Sequence, residues 1–173
     1  MTREEIAQIL SLNPQTGTEE AYVLYTEVDK LSPKVIVEIG VDKGSSLLLW
    51  SKLLWSDGLL VGIDAYSCCS WDTKSTRCKT VLVIGDTFKE ETLNSVKEAL
   101  GGRSIDFLRI DGGHSYDAVK NDFVRYSPLV RAGGIIAFHD YLSSVEVKRF
   151  VDEIWSQYRS VRIPDTDSTY LFK

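Results

Sequence analysis

The feature that most constrains this chain is a fivefold alternation. Short apolar, β-branched runs each close on an acid, a glycine or a histidine, and stretches with apolar residues at helical spacing follow most of them. The runs are KVIVEIG (34–40), LLVGID (59–64), TVLVIGD (80–86), SIDFLRID (104–111) and GGIIAFHD (133–140). Helices are expected at SSLLLWSKLLWS (45–56), KEETLNSVKEAL (89–100), SYDAVKNDFVRYSPLV (115–130) and SSVEVKRFVDEIWSQY (143–158). Ser45 or Ser46 would cap the first of these, with Asp57-Gly58 as its stop. Residues 65–79 read as a polar loop, with room for one helical turn. Near-continuous apolar strands with helical crossovers require a parallel sheet covered on both faces. The chain then ends in SVRIP and STYLFK around DTD (165–167), a hairpin signal that adds antiparallel strands to one edge. The fold class expected is therefore α/β: three layers, Rossmann-like, with a mostly parallel seven-stranded sheet and a C-terminal antiparallel hairpin.

At 173 residues, one domain over 1–173 is expected, opened by an N-terminal helical cap over 1–33. The cap is read from TREEIAQILSL (2–12) and GTEEAYVLYTEVDKL (17–31), the latter ended by Ser32-Pro33. A net charge of −5 argues against nucleic acid as the main partner, since phosphate neutralisation needs a basic face. No run reaches the ~18 apolar residues of a membrane span, and the charged start MTREEIAQIL lacks a signal-peptide apolar core. A cytoplasmic location follows as the expectation. Cys68, Cys69 and Cys78 are expected to be reduced thiols, with a bridge from Cys68 or Cys69 to Cys78 as the alternative.

In open sheets of this kind, ligands bind beyond the carboxyl ends of the strands, so the residues that close each run carry the functional information. The first run closes in EIGVDKGSS (38–46), where Gly40 permits a tight turn and Gly44 lets a helix begin close by. The second glycine of a dinucleotide fingerprint is replaced by Asp42, which suits a cationic or zwitterionic ligand better than a pyrophosphate. Asp64 closes the second run, about twenty residues on, where ribose hydroxyls are commonly held. Gly85-Asp86 closes the third, where a carboxylate can accept from an exocyclic amine. Singly, each acid reads as a surface or cap residue; in succession they converge on one crevice.

VIVEIGVDKGSS, VGIDAY, VIGDTF, IDFLRIDGGHSYDAVKNDF and LVRAGGIIAFHDY stand in the order and spacing of a class I S-adenosylmethionine-dependent methyltransferase. The chain resembles, more narrowly, methyltransferase family 24, a group similar to macrolide-sugar O-methyltransferases and cephalosporin hydroxylase-like proteins. The resemblance covers about Ala21 to the C-terminus, and IDGGHSYDAVKND is its most specific block. The first motif reads E-x-G-x-x-x-G-x-S rather than the commoner E-x-G-x-G-x-G. The resemblance implies O-methylation of a small-molecule or sugar hydroxyl. It implies S-adenosylmethionine bound by Glu38, Gly40, Val41, Asp42, Gly44 and Ser45 on its methionine side. Asp64 with Ala65 would lie at the ribose, Asp86 at the adenine, and Asp111 beside the donor. It further implies a divalent ion, Mg²⁺ or Mn²⁺, on Asp111 and Asp140, with His114 as general base. His139 stands where those relatives carry an acidic ligand. As a third ligand, its imidazole would shift preference from Mg²⁺ towards Mn²⁺, Fe²⁺ or Zn²⁺.

The two histidines of the chain both adjoin an Asp at the end of a β-run. An attacking hydroxyl must lose its proton, and an imidazole can take it near neutral pH. The bland alternatives are that His114 caps the helix at SYDAV and that His139 only fills the strand end. Tyr66 and Trp71 read equally as adenine neighbours and as loop anchors. Trp50, Trp55 and Leu47–Leu49 read as core or as an oligomer face. Arg109, flanked by Leu108 and Ile110 mid-strand, points under the sheet end or pairs with a carboxylate. Rival functions are a non-haem iron oxygenase-like enzyme built on two imidazoles and a carboxylate, a cofactor-binding module without turnover, and a nicotinamide-type Rossmann protein. The thin cap leaves room for a homodimer that completes the acceptor pocket.

Overall fold

In the computed structural model, which describes residues 1–11, 16–67 and 76–173, the alternation becomes a single seven-stranded sheet. The strands are β1 (Val35–Ile39), β2 (Leu59–Asp64), β3 (Lys79–Ile84), β4 (Ile105–Ile110), β5 (Val130–Phe138), β6 (Arg159–Arg162) and β7 (Thr169–Phe172). Their spatial order is β3-β2-β1-β4-β5-β7-β6. The first five are parallel; β7 pairs antiparallel with both β5 and β6. Strand order reverses between β1 and β4, which opens a crevice at their carboxyl ends. The expected fold class and terminal hairpin are both present.

Side-chain alternation along the strands assigns residues to two cores. Val35, Val37 and Ile39 of β1 join Leu108 and Ile110 of β4 and Phe138 of β5 under helices α4 (Glu90–Leu100), α5 (Tyr116–Tyr126) and α6 (Val145–Ile154). Ile36, Phe107, Ile135 and Ala137 face the other way, against α1 (Arg3–Leu10), α2 (Thr18–Asp29) and α3 (Ser45–Ser51). By the same parity Glu38 and Arg109 lie on that second face, directly paired across β1 and β4. Polar residues of the strand ends are thus turned towards the N-terminal helices. No helix among the described residues is long and apolar enough to cross a membrane.

Several boundaries differ from expectation, each for a local reason. Helix α3 stops at Ser51, short of Asp57-Gly58. Its N-cap is neither Ser45 nor Ser46 but Gly44, whose φ of +88° suits a residue without Cβ. α5 ends at Tyr126, because Pro128 offers no N–H to extend the ladder, and a 3₁₀ turn follows. β5 begins at Val130 rather than Gly133, with a register shift against β4 near its start. Gly133, at φ +73°, absorbs the irregularity. Trp50 is fully buried, with its ring edge on Phe107, whereas Trp55 is exposed under the Arg77 guanidinium. Cys78 is a free, buried thiol; Cys68, Cys69 and Trp71 lie outside the described residues.

Candidate active site

Beyond the carboxyl ends of β1 to β5 lies a cleft of about 610 Å³, a volume suited to a nucleoside-sized ligand. Gly40, Val41, Asp42 and Ser45 form one wall from the β1–α3 turn. Gly40 has φ +84°, and a Cβ there would sit 1.9 Å from the Asp111 carbonyl oxygen, so only glycine allows the β1 and β4 ends to abut. Asp64, Ala65 and Tyr66 follow from the end of β2, then Asp86, Thr87 and Phe88 from the end of β3. Asp64 organises the turn: its Oδ2 accepts the Val41 and Asp42 N–H groups at 2.9 Å, and its Oδ1 the Tyr66 N–H at 3.0 Å. Asp86 Oδ1 likewise accepts the Phe88 N–H at 2.9 Å.

Asp111, His114, His139 and Asp140 line the other end of the same cleft. His114 does not cap α5. Ser115 does, its side chain accepting the Ala118 N–H, which leaves His114 Nε2 2.9 Å from Asp140 Oδ2. The His114 side chain is about half exposed and opens to the cleft. His139 is buried, with Nδ1 3.2 Å from Asp111 Oδ1 and 3.1 Å from Asp140 Oδ2. Its Nε2 lies 3.0 Å from Glu20 Oε1. Burial opposes a charge on His139, but hydrogen bonds to Asp111, Asp140 and Glu20 outweigh it and push the pKa up to about 11. Burial would raise the Asp140 carboxyl, yet His139 beside it holds it down at about 2.

Under the floor, Arg109 is 1% exposed and bridges Glu38 Oε1 at 2.7 Å and Asp111 Oδ2 at 2.6 Å. It also donates to Thr16 Oγ1 at 3.0 Å. Burial works against this guanidinium, but Asp111 and Glu38 outweigh it and hold it charged. Burial pushes the Glu38 carboxyl upward, against the pull of Arg109. Glu38 Oε1 also accepts from Trp50 Nε1 at 3.2 Å. Of the residues assigned to the cofactor from sequence, Glu38 and Gly44 do not line the cleft. Glu38 lies beneath it as the counter-charge to Arg109, and Gly44 caps α3. Arg109 therefore pairs with two carboxylates, as one of its two readings had it.

Asp111, His139 and Asp140 each offer one ligand atom, and the three atoms lie within 4.8 Å of one another. One imidazole and two carboxylates facing a common point fit a divalent cation. The set differs from a facial triad of two imidazoles and one carboxylate, because His114 bonds to Asp140 from the cleft side instead of joining the cluster. Sequence reasoning missed Thr16, Glu20, Phe88 and Asp122. Neither Thr16, in the turn before α2, nor Glu20, in what reads as an ordinary amphipathic helix, carries a local signal. Asp122, 1% exposed in α5, lines the cleft.

A family model described as a methyltransferase domain, that of methyltransferase family 24, matches residues 37–141. An uncharacterized protein of Acanthamoeba polyphaga mimivirus is 34% identical over 115 residues, 61% of this chain and 50% of that protein. The chain thus spans half the length of this curated relative. Among solved structures, the O-methyltransferase TomG from Streptomyces achromogenes, in complex with SAM (S-adenosylmethionine), superposes with a TM-score of 0.66 at 16% identity, over 99% of this chain and 89% of that one. The O-methyltransferase from Bacillus cereus, in complex with SAH (S-adenosylhomocysteine), gives 0.65 at 17%, over 99% and 90%. MycE methyltransferase from the mycinamycin biosynthetic pathway, in complex with Mg and SAH, gives 0.69 at 19%, over 97% of this chain and 54% of that one. These likenesses show a shared fold.

Proposed function

This chain belongs to the methyltransferase family whose model spans residues 37–141, and from that premise we propose that it transfers a methyl group from S-adenosylmethionine to a hydroxyl of a small molecule or sugar. The observation that carries the reading is a single cleft with two unlike ends. One end is a glycine turn backed by Asp64 and Asp86; the other is a His114–Asp140 pair. The first suits a zwitterionic nucleoside, the second a proton transfer. TomG and MycE, whose structures contain SAM and SAH respectively, share the fold and support the choice of donor.

When bound, the donor supplies a methyl carbon on a cationic sulfur. The carboxylates of Asp42 and Asp64 give the glycine-turn end of the cleft an acidic lining that favours a positive charge, and Asp111 adds to it from the neighbouring end of β4. Asp64 fixes the turn and keeps acceptor capacity for a ribose hydroxyl; Asp86 would meet the adenine edge. His114 donates Nε2–H to Asp140 and so leaves Nδ1 as the acceptor for the substrate hydroxyl proton. Asp140 then steadies the imidazolium that results, while the freed oxygen attacks the methyl carbon in line with sulfur. Asp111, His139 and Asp140 would hold a divalent ion, which lowers the pKa of an acceptor hydroxyl. A second copy of the chain covering exposed Leu142 and Val145 would complete the acceptor side.

Calorimetry with S-adenosylhomocysteine, paired with a methyl-transfer assay over a panel of phenols, catechols and sugar hydroxyls, tests this. His114→Ala is expected to keep S-adenosylhomocysteine affinity while turnover falls about 10²–10⁴-fold. Undiminished turnover rejects His114 as the base. Failure of the wild type to bind the product nucleoside rejects the donor assignment.

A further inference from the structure

An acid from the N-terminal helices stands directly behind the imidazole of the candidate metal triad. Glu20, on α2, is 3% exposed. Its Oε1 accepts the Gly17 N–H at 3.0 Å and lies 3.0 Å from His139 Nε2. Its Oε2 accepts the Asp167 N–H at 3.1 Å, from the turn between β6 and β7. Two backbone donors therefore fix this carboxylate in place. An ionised carboxylate only accepts, so the bond to His139 requires the proton to sit on Nε2. The other ring nitrogen, Nδ1, faces Asp111 Oδ1 and Asp140 Oδ2 at 3.2 and 3.1 Å, so it too donates until a cation takes the place of its proton.

We propose that Glu20 is a positioning residue: it anchors the Nε2–H of His139 and thereby aims Nδ1, between Asp111 and Asp140, at the point where a transition-series divalent ion, in preference to Mg²⁺, would replace the Nδ1 proton. The inference rests on the metal-assisted reading given above and adds to it the residue that builds the site and the class of ion. A carboxylate behind a ligating imidazole fixes the ring and raises its basicity, and removing such a partner weakens metal binding. A nitrogen donor among two carboxylates suits Mn²⁺, Fe²⁺, Co²⁺ or Zn²⁺, whereas Mg²⁺ favours an all-oxygen shell. Arg109 supplies the counter-charge for Asp111 from below, so the open side of the triad faces the cleft.

The chain has two histidines, so ¹⁵N-histidine labelling yields two imidazoles, assigned with a His114→Asn variant. In wild-type protein with S-adenosylhomocysteine and Zn²⁺, His139 is expected as the Nε2–H tautomer with Nδ1 shifted by coordination. Calorimetry should show Mn²⁺ binding at least about tenfold tighter than Mg²⁺. Glu20→Gln puts an amide N–H₂ where one accepting oxygen stood, and should lose about 10–100-fold in Mn²⁺ affinity with product-nucleoside affinity kept. His139→Asp should shift preference back towards Mg²⁺, as an all-oxygen set does, which tests the imidazole as the donor that sets the ion class. Unchanged Mn²⁺ affinity in a folded Glu20→Gln, or an Nδ1–H tautomer in the Zn²⁺-loaded wild type, overturns the role of Glu20 and leaves metal assistance standing. Wild-type protein that binds the nucleoside but no divalent ion overturns both, while the methyltransferase reading survives. Should Glu20→Gln not fold, Glu20→Asp, which shortens the carboxylate's reach, takes its place with the tautomer as the second readout.

Discussion

Arg109 shows how one residue ties the core to the site. Its guanidinium is 1% exposed and is shared by Glu38 and Asp111. Glu38 Oε2 has no hydrogen-bond partner among the described residues, so the pair is not fully satisfied. Removing the cation strands a buried carboxylate, and Arg109→Met is expected to cost about 3–5 kcal/mol, read by urea denaturation at neutral pH. A loss under ~1 kcal/mol would show that Glu38 is already neutral in the fold. Asp122 makes the converse case. Burial pushes its carboxyl up to about 6, against the hydrogen bonds of Thr87 and Asn121. The folded state thus keeps a proton that the unfolded chain gives up near ~3.9, and this group's contribution to stability falls as pH rises from about 4 to 6. Asp122→Asn abolishes that titration. It should raise stability by on the order of 2 kcal/mol at pH 7–8, with little gain near pH 4, as thermal melts at both pH values will show.

At the scale of elements, the site depends on how closely the ends of β1, β2 and β4 approach. Gly40 N donates to Ile63 O, and Asp111 N to Ile39 O, both at 2.8 Å. The sheet hydrogen bonding therefore runs on past the strands into the residues that line the cleft. Gly40→Ala adds a methyl group 1.9 Å from the Asp111 carbonyl oxygen at a φ that alanine disfavours. The turn must then shift. The expected result is a fall in S-adenosylhomocysteine affinity of more than about tenfold with a lower melting temperature, since misplacement by ~1 Å is costly in such sites. A variant with wild-type affinity would show that the turn does not touch the ligand. Helix ends follow the same local logic: Ser115 caps α5 and so frees His114 for Asp140.

At the scale of the molecule, the C-terminal hairpin does more than close an edge. β7 inserts between β5 and β6 and covers the β5 flank at Ile135, Ile136 and Phe138. The turn between β6 and β7 also reaches the site: Asp167 Oδ1 accepts the Leu142 and Ser143 N–H groups at 2.6 and 2.9 Å, and its own N–H goes to Glu20. Deleting 159–173 bares an apolar strand edge and frees the loop after Asp140. Such a truncation is expected to aggregate and to lose near-ultraviolet dichroism. A monomeric, cooperatively unfolding product in size-exclusion and melting experiments would contradict this account of the hairpin.

Sequence alone determined the elements and the residues that end them. Burial on both faces forces uninterrupted apolar strands, and a chain turning from strand to helix marks itself with Gly40, Gly85 or an Asp within a few residues. That is why Asp64, Asp86, Asp111, His114 and Asp140 could be picked out, and why the hairpin was legible from two short runs around DTD. Tertiary structure decided which sheet face each polar residue meets. Glu20 and His139 stand 119 residues apart, and nothing local to either signals the other. Their contact exists because parity turns Arg109, Asp111 and His139 towards the face on which α2 packs, with strand order bringing β4 and β5 side by side. Periodicity encodes which face of an element is buried; only the packed chain fixes what that face is buried against.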